Sequence, residues 1–482
     1  MSAPARDILQ VSTADVLGGA ERIARTLFQE YRARGHRSYL AVGRKRTTDA
    51  GVLLMTHGEG AGPWRRFWWG LHARLQPNFP RIPAARTMAR FFQSMAEPAG
   101  VLDRWRGVED FHFPAAWRLP VLAPRRPQIV HLHNLHGNYF DLRALPALCR
   151  AAPLVLTLHD AWLLAGHCAH SMGCARWRSG CGNCPDLGIY PAVRRDATAH
   201  NLRRKAEIYR QCRLFAATPC RWLMERVEES ALAPALAGSR VIPNGIDLSV
   251  FMPGDRAEAR GALGLPQDAD VLLFAAYGVM RNSFKDFATL RGTAEALSAR
   301  RAGAGRDRAE KGRPLLVLVL GENGKEVTLP GAEIRFAGRV DDPAEVARYH
   351  RAADLYVQAA RADTFPTSVL EALACGTPVV ATAVGGIGEQ VVGIDARGSS
   401  SAAPTGWLVG EGDSEAMAHA VSRLLGDRRL RMSLAESAAR DARSRFDHRL
   451  MARRYLEWYE EILGGESATF GAGARRGVFT HS

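Results

Sequence analysis

Two acidic residues, Asp363 and Glu371, stand eight positions apart in the run DTFPTSVLEALACGTPVVATAVGG. The run reads as a loop, an Ala- and Leu-rich helix stopping at Gly376, and a buried strand opening at Pro378. Carboxylates accept hydrogen bonds from neighbouring hydroxyls, and a helix N-terminus favours anionic groups. The plainer alternative is that both acids cap and solvate a helix. The Gly385-Gly386 loop and Glu389, following a buried strand, favour a ligand. Upstream, GVMRNSFKDFATL places Arg281 and Lys285 after the strand Val271–Ala275. Cations at a strand's carboxyl end are placed to meet phosphate, although loops also carry solvated surface cations.

Earlier in the chain, Gly18-Gly19-Ala20-Glu21-Arg22 links a first strand to a first helix. Paired glycines allow close backbone approach to a substrate, though a lone pair is a weak signal. His131, His133, Asn134 and His136 end or follow one buried run, and His159 and Asp160 end the next. Polar groups gathered at strand carboxyl ends serve ligands more often than packing. Cys168, Cys174, Cys181 and Cys184 lie within 17 residues and finish in a C-x2-C pair. That spacing suits a closed structural zinc site, with His167 and His170 as further ligands; the alternative is four free thiols in a loop. No open three-ligand arrangement points to a catalytic metal.

The elements that must hold these residues come in two series. Ile8–Val11, Tyr39–Val42, Ile129–Leu132, Leu154–Leu158 and Leu214–Ala217 read as strands, with an amphipathic helix over Glu21–Arg34 ended by Gly35. After the turn Pro243-Asn244-Gly245, strands follow at Val271–Ala275, Leu315–Leu320, Ile334–Phe336, Leu355–Val357 and Pro378–Thr382. Strand–helix alternation implies parallel sheets covered on both faces. The expected fold class is α/β, with two doubly wound Rossmann-like domains facing a central cleft. The length of 482 residues fits two such cores. The division expected is 1–218 for the first domain, including a cysteine-rich loop at 167–185. The second spans 219–440, a closing helix 441–463, and a Gly- and Ser-rich tail 464–482 expected to be disordered.

A hydrophobic share of 47% excludes a largely disordered chain, and eight cysteines in a reducing cytosol are not a disulfide framework. Residues 1–10 lack a signal-peptide core and no run of 18 apolar residues occurs, so a cytoplasmic location is expected. The formal charge of +15 admits nucleic acid, an anionic membrane or anionic small molecules. Scattered arginines without a basic tail weaken the nucleic-acid reading. Gly62–Arg126 carries eleven arginines against four acids, and five of the ten tryptophans. Trp64, Phe67, Trp68, Leu71 and Leu75 share one helical face there. An amphipathic basic helix suits an anionic lipid surface; the competing reading packs that aromatic face on the core.

The Asp363–Glu371 spacing, GGAER, TLHDAW, ATPCRWL and VIPNGIDLSVF together resemble glycosyltransferase family 4, over nearly the whole chain. The resemblance implies the GT-B fold and retaining transfer of a sugar from a nucleotide diphosphate donor, with uridine and guanosine both compatible. It implies that Asp363 approaches the donor sugar, where many members carry Glu, and that Glu371 holds the ribose. Arg281 and Lys285 would grip the diphosphate in place of a metal, so no cofactor is required for catalysis. Gly18 and Gly19 would lie near the donor phosphates. His159 would approach the reacting sugar; His133 and Asn134 are assigned to an acceptor. That acceptor is expected to be a glycan or lipid-linked glycan of the cell surface, met at the inner membrane face. The rivals are an epimerase of the same fold and a non-catalytic basic binding protein.

Overall fold

The fold is that of a computed structural model describing residues 4–16, 18–58, 62–75, 83–280, 282–304, 313–394 and 403–474. The chain divides into two compact units. The first comprises Met1–Pro219, Leu223–Ile242 and Ala452–Ser482; the second comprises Cys220–Trp222 and Pro243–Met451.

The first unit is built on strands β1 (Asp7–Ala14), β2 (Arg37–Arg44), β3 (Val52–Leu54), β4 (Ile129–Leu132), β5 (Leu154–Thr157), β6 (Leu214–Thr218) and β7 (Leu236–Val241). They form one sheet in the order β3-β2-β1-β4-β5-β6-β7, and every pairing is parallel. A parallel sheet is covered on both faces, which is why β4, β5 and β6 are buried at every residue rather than at alternate ones. Helix α1 (Gly19–Ala33) lays Ile23, Ala24, Leu27, Phe28 and Tyr31 inward at helical spacing. Gly35, at φ +84°, closes it in the left-handed region. Because β7 pairs with β6, the first unit reaches past residue 218, the boundary drawn from the sequence.

The second unit carries β8 (Asp270–Ala275), β9 (Leu315–Leu320), β10 (Val327–Leu329), β11 (Ala332–Gly338), β12 (Leu355–Gln358), β13 (Val379–Thr382) and β14 (Gly406–Val409). Their order is β10-β11-β9-β8-β12-β13-β14, parallel except for the edge pair β10–β11. Leu272, Phe274, Val317, Val319, Val357 and Val380 fill its core. The two sheets are doubly wound Rossmann-like layers, as the strand–helix alternation implies.

Residues 62–126 add helices α2 (Pro63–Leu75), α3 (Pro83–Ala96) and α4 (Pro98–Arg106) to the first unit. The single apolar face expected on α2 is divided: Trp69 is buried, Trp68, Leu71 and Leu75 are half-buried, and Trp64 and Phe67 are exposed. The last helix, His448–Ala474, runs past Gly464, where the sequence suggested a disordered tail. Residues 475–482 of that tail lie outside the described residues. Among the described residues no helix is long and apolar enough to cross a membrane.

Candidate active-site residues

In each sheet the strand order reverses once, between β1 and β4 and between β8 and β12. Such reversals leave loops diverging at the carboxyl ends of the strands, where α/β proteins bind ligands. In the second unit, Lys285 follows β8 and Asp363 follows β12. A bridge pairs Lys285 with Ala360, and Asp286 N donates to Ala359 O at 3.2 Å. These backbone ties hold Lys285 over the end of β12. Its ammonium forms a half-buried ion pair with the Asp363 carboxylate, across 78 residues of sequence.

The Gly385-Gly386 loop supports Asp363 from below. Gly385 sits at φ +57°, and a Cβ there would fall 1.7 Å from Asp363 O. Gly386 N donates to Thr364 O at 3.0 Å, and a Cβ on Gly386 would lie 2.3 Å from that oxygen. Only glycine lets these two backbones lie against each other. Glu371, in the helix Thr367–Ala374, is buried with Oε2 3.7 Å from His350 Nε2. Glu389 is engaged structurally: it accepts from Arg221 N at 2.7 Å and Trp222 N at 2.8 Å, capping the helix Arg221–Glu228. Arg281 lies outside the described residues.

In the first unit, a row of histidines runs along the ends of β4 and β5. His133 Nδ1 lies 3.1 Å from His159 Nε2, and their rings stack at 5.4 Å. The Gln10 amide, from the middle of β1, is assigned by its α1 partners, with its oxygen accepting from Phe28 N at 2.8 Å and its nitrogen donating to Ala24 O at 3.2 Å, and this assignment puts the nitrogen 3.1 Å from His133 Nε2. His133 Nε2 is therefore an acceptor, its proton sits on Nδ1, and it donates to His159 Nε2. Neutral His159 then carries its own proton on Nδ1. Burial pulls the His159 pKa down to about 4 despite Asp160 beside it, and burial likewise puts His133 well below the ordinary range. Behind them His131 is bonded to Thr157 Oγ1 at 2.6 Å and to the Tyr459 hydroxyl at 2.6 Å.

A second, charged pair adjoins this row. His136 Nε2 lies 2.7 Å from Asp160 Oδ2 and its Nδ1 3.4 Å from the Tyr190 hydroxyl. Burial opposes the imidazolium, but Asp160 outweighs it and raises the His136 pKa. Asp160, also penalised by burial, is held below its usual value by His136. The loop after Asp160 is fastened by Lys205, fully buried, which donates to Trp162 O at 2.8 Å and Ala165 O at 2.9 Å and pairs with Glu109 at 2.9 Å. Asn134 is half-buried, and its carbonyl accepts from the Tyr139 hydroxyl at 2.6 Å. Gly18 precedes α1 and Gly19 begins it, on the loop leaving β1. Gln10 escaped the sequence reading, though a lone amide inside the apolar run DILQV was its signal. Tyr459 had none, since nothing in the chain links residue 459 to residue 131.

Cys168, Cys174, Cys181 and Cys184 are free thiols lining one cavity of about 30 Å³. His167 Nε2 is 3.4 Å from Cys184 Sγ. Burial, with Cys181 nearby, pushes the Cys168 thiol up to about 12. Cys181 and Asn183 have positive φ, as do Gly180 and Gly182, so the C-x2-C turn is wound left-handed. Among the described residues, no three or more Cys, His, Asp or Glu side chains are drawn together as a metal shell requires.

Comparison with known proteins agrees with this architecture. The family described as glycosyl transferases group 1 matches residues 322–441, the stretch holding Asp363, Glu371 and the double glycine. A D-inositol 3-phosphate glycosyltransferase of Catenulispora acidiphila is 32% identical over 71% of this chain and 74% of its own length. The chain belongs to the group 1 glycosyltransferases. A D-inositol 3-phosphate glycosyltransferase of Kineococcus radiotolerans is 34% identical over 49% of this chain, and the putative colanic acid biosynthesis glycosyl transferase WcaC of Escherichia coli 27% over 53%. The chain spans 54% and 60% of the length of these two relatives. Among solved structures, sucrose-phosphate synthase from Thermosynechococcus elongatus superposes with a TM-score of 0.57 at 17% identity, covering 95% of this chain and all of that one. Anabaena HepE in complex with UDP-glucose gives 0.56 at 15% identity, with 95% and 100% coverage. These likenesses define the GT-B fold.

Proposed function

We propose that the protein transfers a glycosyl group, with retention, from a uridine or guanosine diphosphate sugar to a glycan or lipid-linked glycan of the cell surface. The observation that carries this reading is the Lys285–Asp363 pair at the reversal between β8 and β12. Donor binding exchanges that ion pair for two better-matched contacts. Lys285 meets the diphosphate, whose negative charge grows as the glycosidic bond breaks, and Asp363 accepts from a sugar hydroxyl. A fixed cation in this role makes a catalytic metal unnecessary. Glu371 is assigned to the nucleotide ribose and Arg281 to the diphosphate, with the Gly18-Gly19 loop near the donor phosphates. His159 is assigned to the reacting sugar, where a neutral imidazole donates a hydrogen bond from Nδ1 without adding charge. His133 and Asn134 are assigned to the acceptor. HepE's complex with UDP-glucose and the colanic acid role in WcaC's name support the donor class and the cell-surface setting. A cytoplasmic location belongs to the same proposal, since nucleotide sugars are made there.

Titration calorimetry with uridine, guanosine and adenosine diphosphates and their sugar conjugates tests it. One nucleotide should bind and raise Tm by mass action, and Lys285→Ala or Glu371→Ala, still folded, should abolish the shift. A well-folded protein that binds none of them overturns the reading.

For Cys168, Cys174, Cys181 and Cys184 we propose a structural zinc site with no part in the chemistry. Its support is the C-x2-C spacing and the presence of all four cysteines in the lining of one small cavity. Closing a tetrahedral shell requires those side chains to rotate inward.

A further inference from the structure

We propose that α2 and α3 form a docking face for the surface of an anionic lipid bilayer, an inference that goes beyond glycosyl transfer and does not depend on it. The two helices pack along each other through Trp68, whose ring lies 6.2 Å from Phe91 and 5.8 Å from Phe92. Trp69 anchors α2 inward against His57 at 4.7 Å. With those two indoles committed, four other large apolar side chains of the two helices are left facing water. Trp64 is 56% exposed, Phe67 60%, Met88 47% and Phe91 55%. Among the described residues, nine of the fourteen exposed large hydrophobic ones fall between Trp64 and Val121, so this stretch gathers exposed apolar surface beyond singly scattered residues.

Charge selects the occupant. Residues 62–96 contain no aspartate or glutamate. Arg74 and Arg90 stand exposed on the same two helices, while Glu97, the carboxylate that follows α3, is buried and paired with Arg65. A protein partner would have to match both the aromatic and the cationic character. A bilayer surface carrying anionic headgroups does so without further assumption, because aromatic side chains settle at the headgroup level and arginines pair with phosphates. Trp64 is suited to that depth: its indole N–H is already satisfied by Met95 O at 2.9 Å, so inserting the ring leaves no unpaired donor. Among the described residues no helix spans a membrane, so the contact is peripheral.

Sedimentation of the full chain with vesicles tests this, without nucleotide or acceptor, so its failure leaves the transfer reading untouched. Mixed phosphatidylcholine–phosphatidylglycerol vesicles should carry the protein down, and pure phosphatidylcholine should not. Raising the salt should release it. Phe67→Ser/Met88→Ser and, separately, Arg74→Gln/Arg90→Gln should each weaken partitioning by about tenfold or more, with Tm and donor binding unchanged. Undiminished sedimentation of both variants overturns the proposal. So does a protein that ignores mixed vesicles but is retained on immobilised polyglutamate, which would make the face a site for acidic proteins.

Discussion

His133 donates its Nδ1 proton to Nε2 of His159 across 3.1 Å, and Gln10, from a neighbouring strand, decides that direction. An amide nitrogen can only donate, so His133 Nε2 is left only the acceptor's role. The imidazole assigned to the sugar is therefore set in its tautomer by a residue two contacts away.

Gln10→Leu should remove that instruction. The expected result is a fall in kcat of about tenfold or more with donor KM little changed, consistent with a lost orientation rather than lost binding. Because Gln10 is buried, a companion measurement on the wild type keeps the point testable. Long-range proton–nitrogen spectra of labelled imidazoles should show His159 protonated at Nδ1. An Nε2-protonated His159 refutes the relay.

Acid should destabilise the first unit. Burial lowers the pKa of His57 and His131 to about 3, and of His72 and His159 to about 4, from an ordinary 6.5. Between those values the unfolded chain binds protons that the folded chain refuses, so stability is full above about pH 6.5 and falls as pH drops toward the folded values. His136 has the opposite sign, its contribution being lost as pH rises through its raised pKa, but it stands alone against these four and against His133 and His36, which burial also lowers. Calorimetry should show Tm falling steadily from about pH 6.5 to about pH 4.5. A flat profile there contradicts the assignment.

Gly385→Ala should be far more damaging than an alanine at another left-handed glycine. A Cβ at 385 meets Asp363 O at 1.7 Å, whereas one at Gly264, φ +64°, meets nothing within 4 Å. Gly264→Ala should cost about 1–2 kcal/mol, the left-handed penalty alone. Gly385→Ala must also push the Asp363 backbone aside, and urea titration and donor affinity should both register it. Equal effects would mean that the loop does not support Asp363.

Metal analysis settles the cysteine loop. One equivalent of zinc per chain is expected, lost in Cys181→Ser/Cys184→Ser together with several degrees of Tm. Metal-free, fully folded protein removes the site.

Much of this was legible in the chain. The apolar runs that became β1, β4, β5, β8, β9 and β12 are buried on both faces, so they announce themselves without any tertiary information. The short edge strands β3, β10 and β14 did not, because three or four residues beside solvent carry little pattern. Asp363 and Lys285 could each be picked out from local context, yet their pairing depends on the β8–β12 adjacency, which no local signal encodes. The α2 face was read only in part. Helical spacing grouped Trp64 with Trp68 but could not say that α3 would cover one and leave the other bare.

The last helix has a consequence for how the chain is made. Tyr455 bonds Thr157 Oγ1 at 2.8 Å, Tyr459 bonds His131 and Tyr31, and Glu460 pairs with Arg6. The histidine row thus rests on hydroxyls that leave the ribosome more than 200 residues after β6. The N-terminal half can collapse early during synthesis, but its sheet must wait, with Thr157 and His131 lacking these tyrosine partners, until the second sheet has been translated.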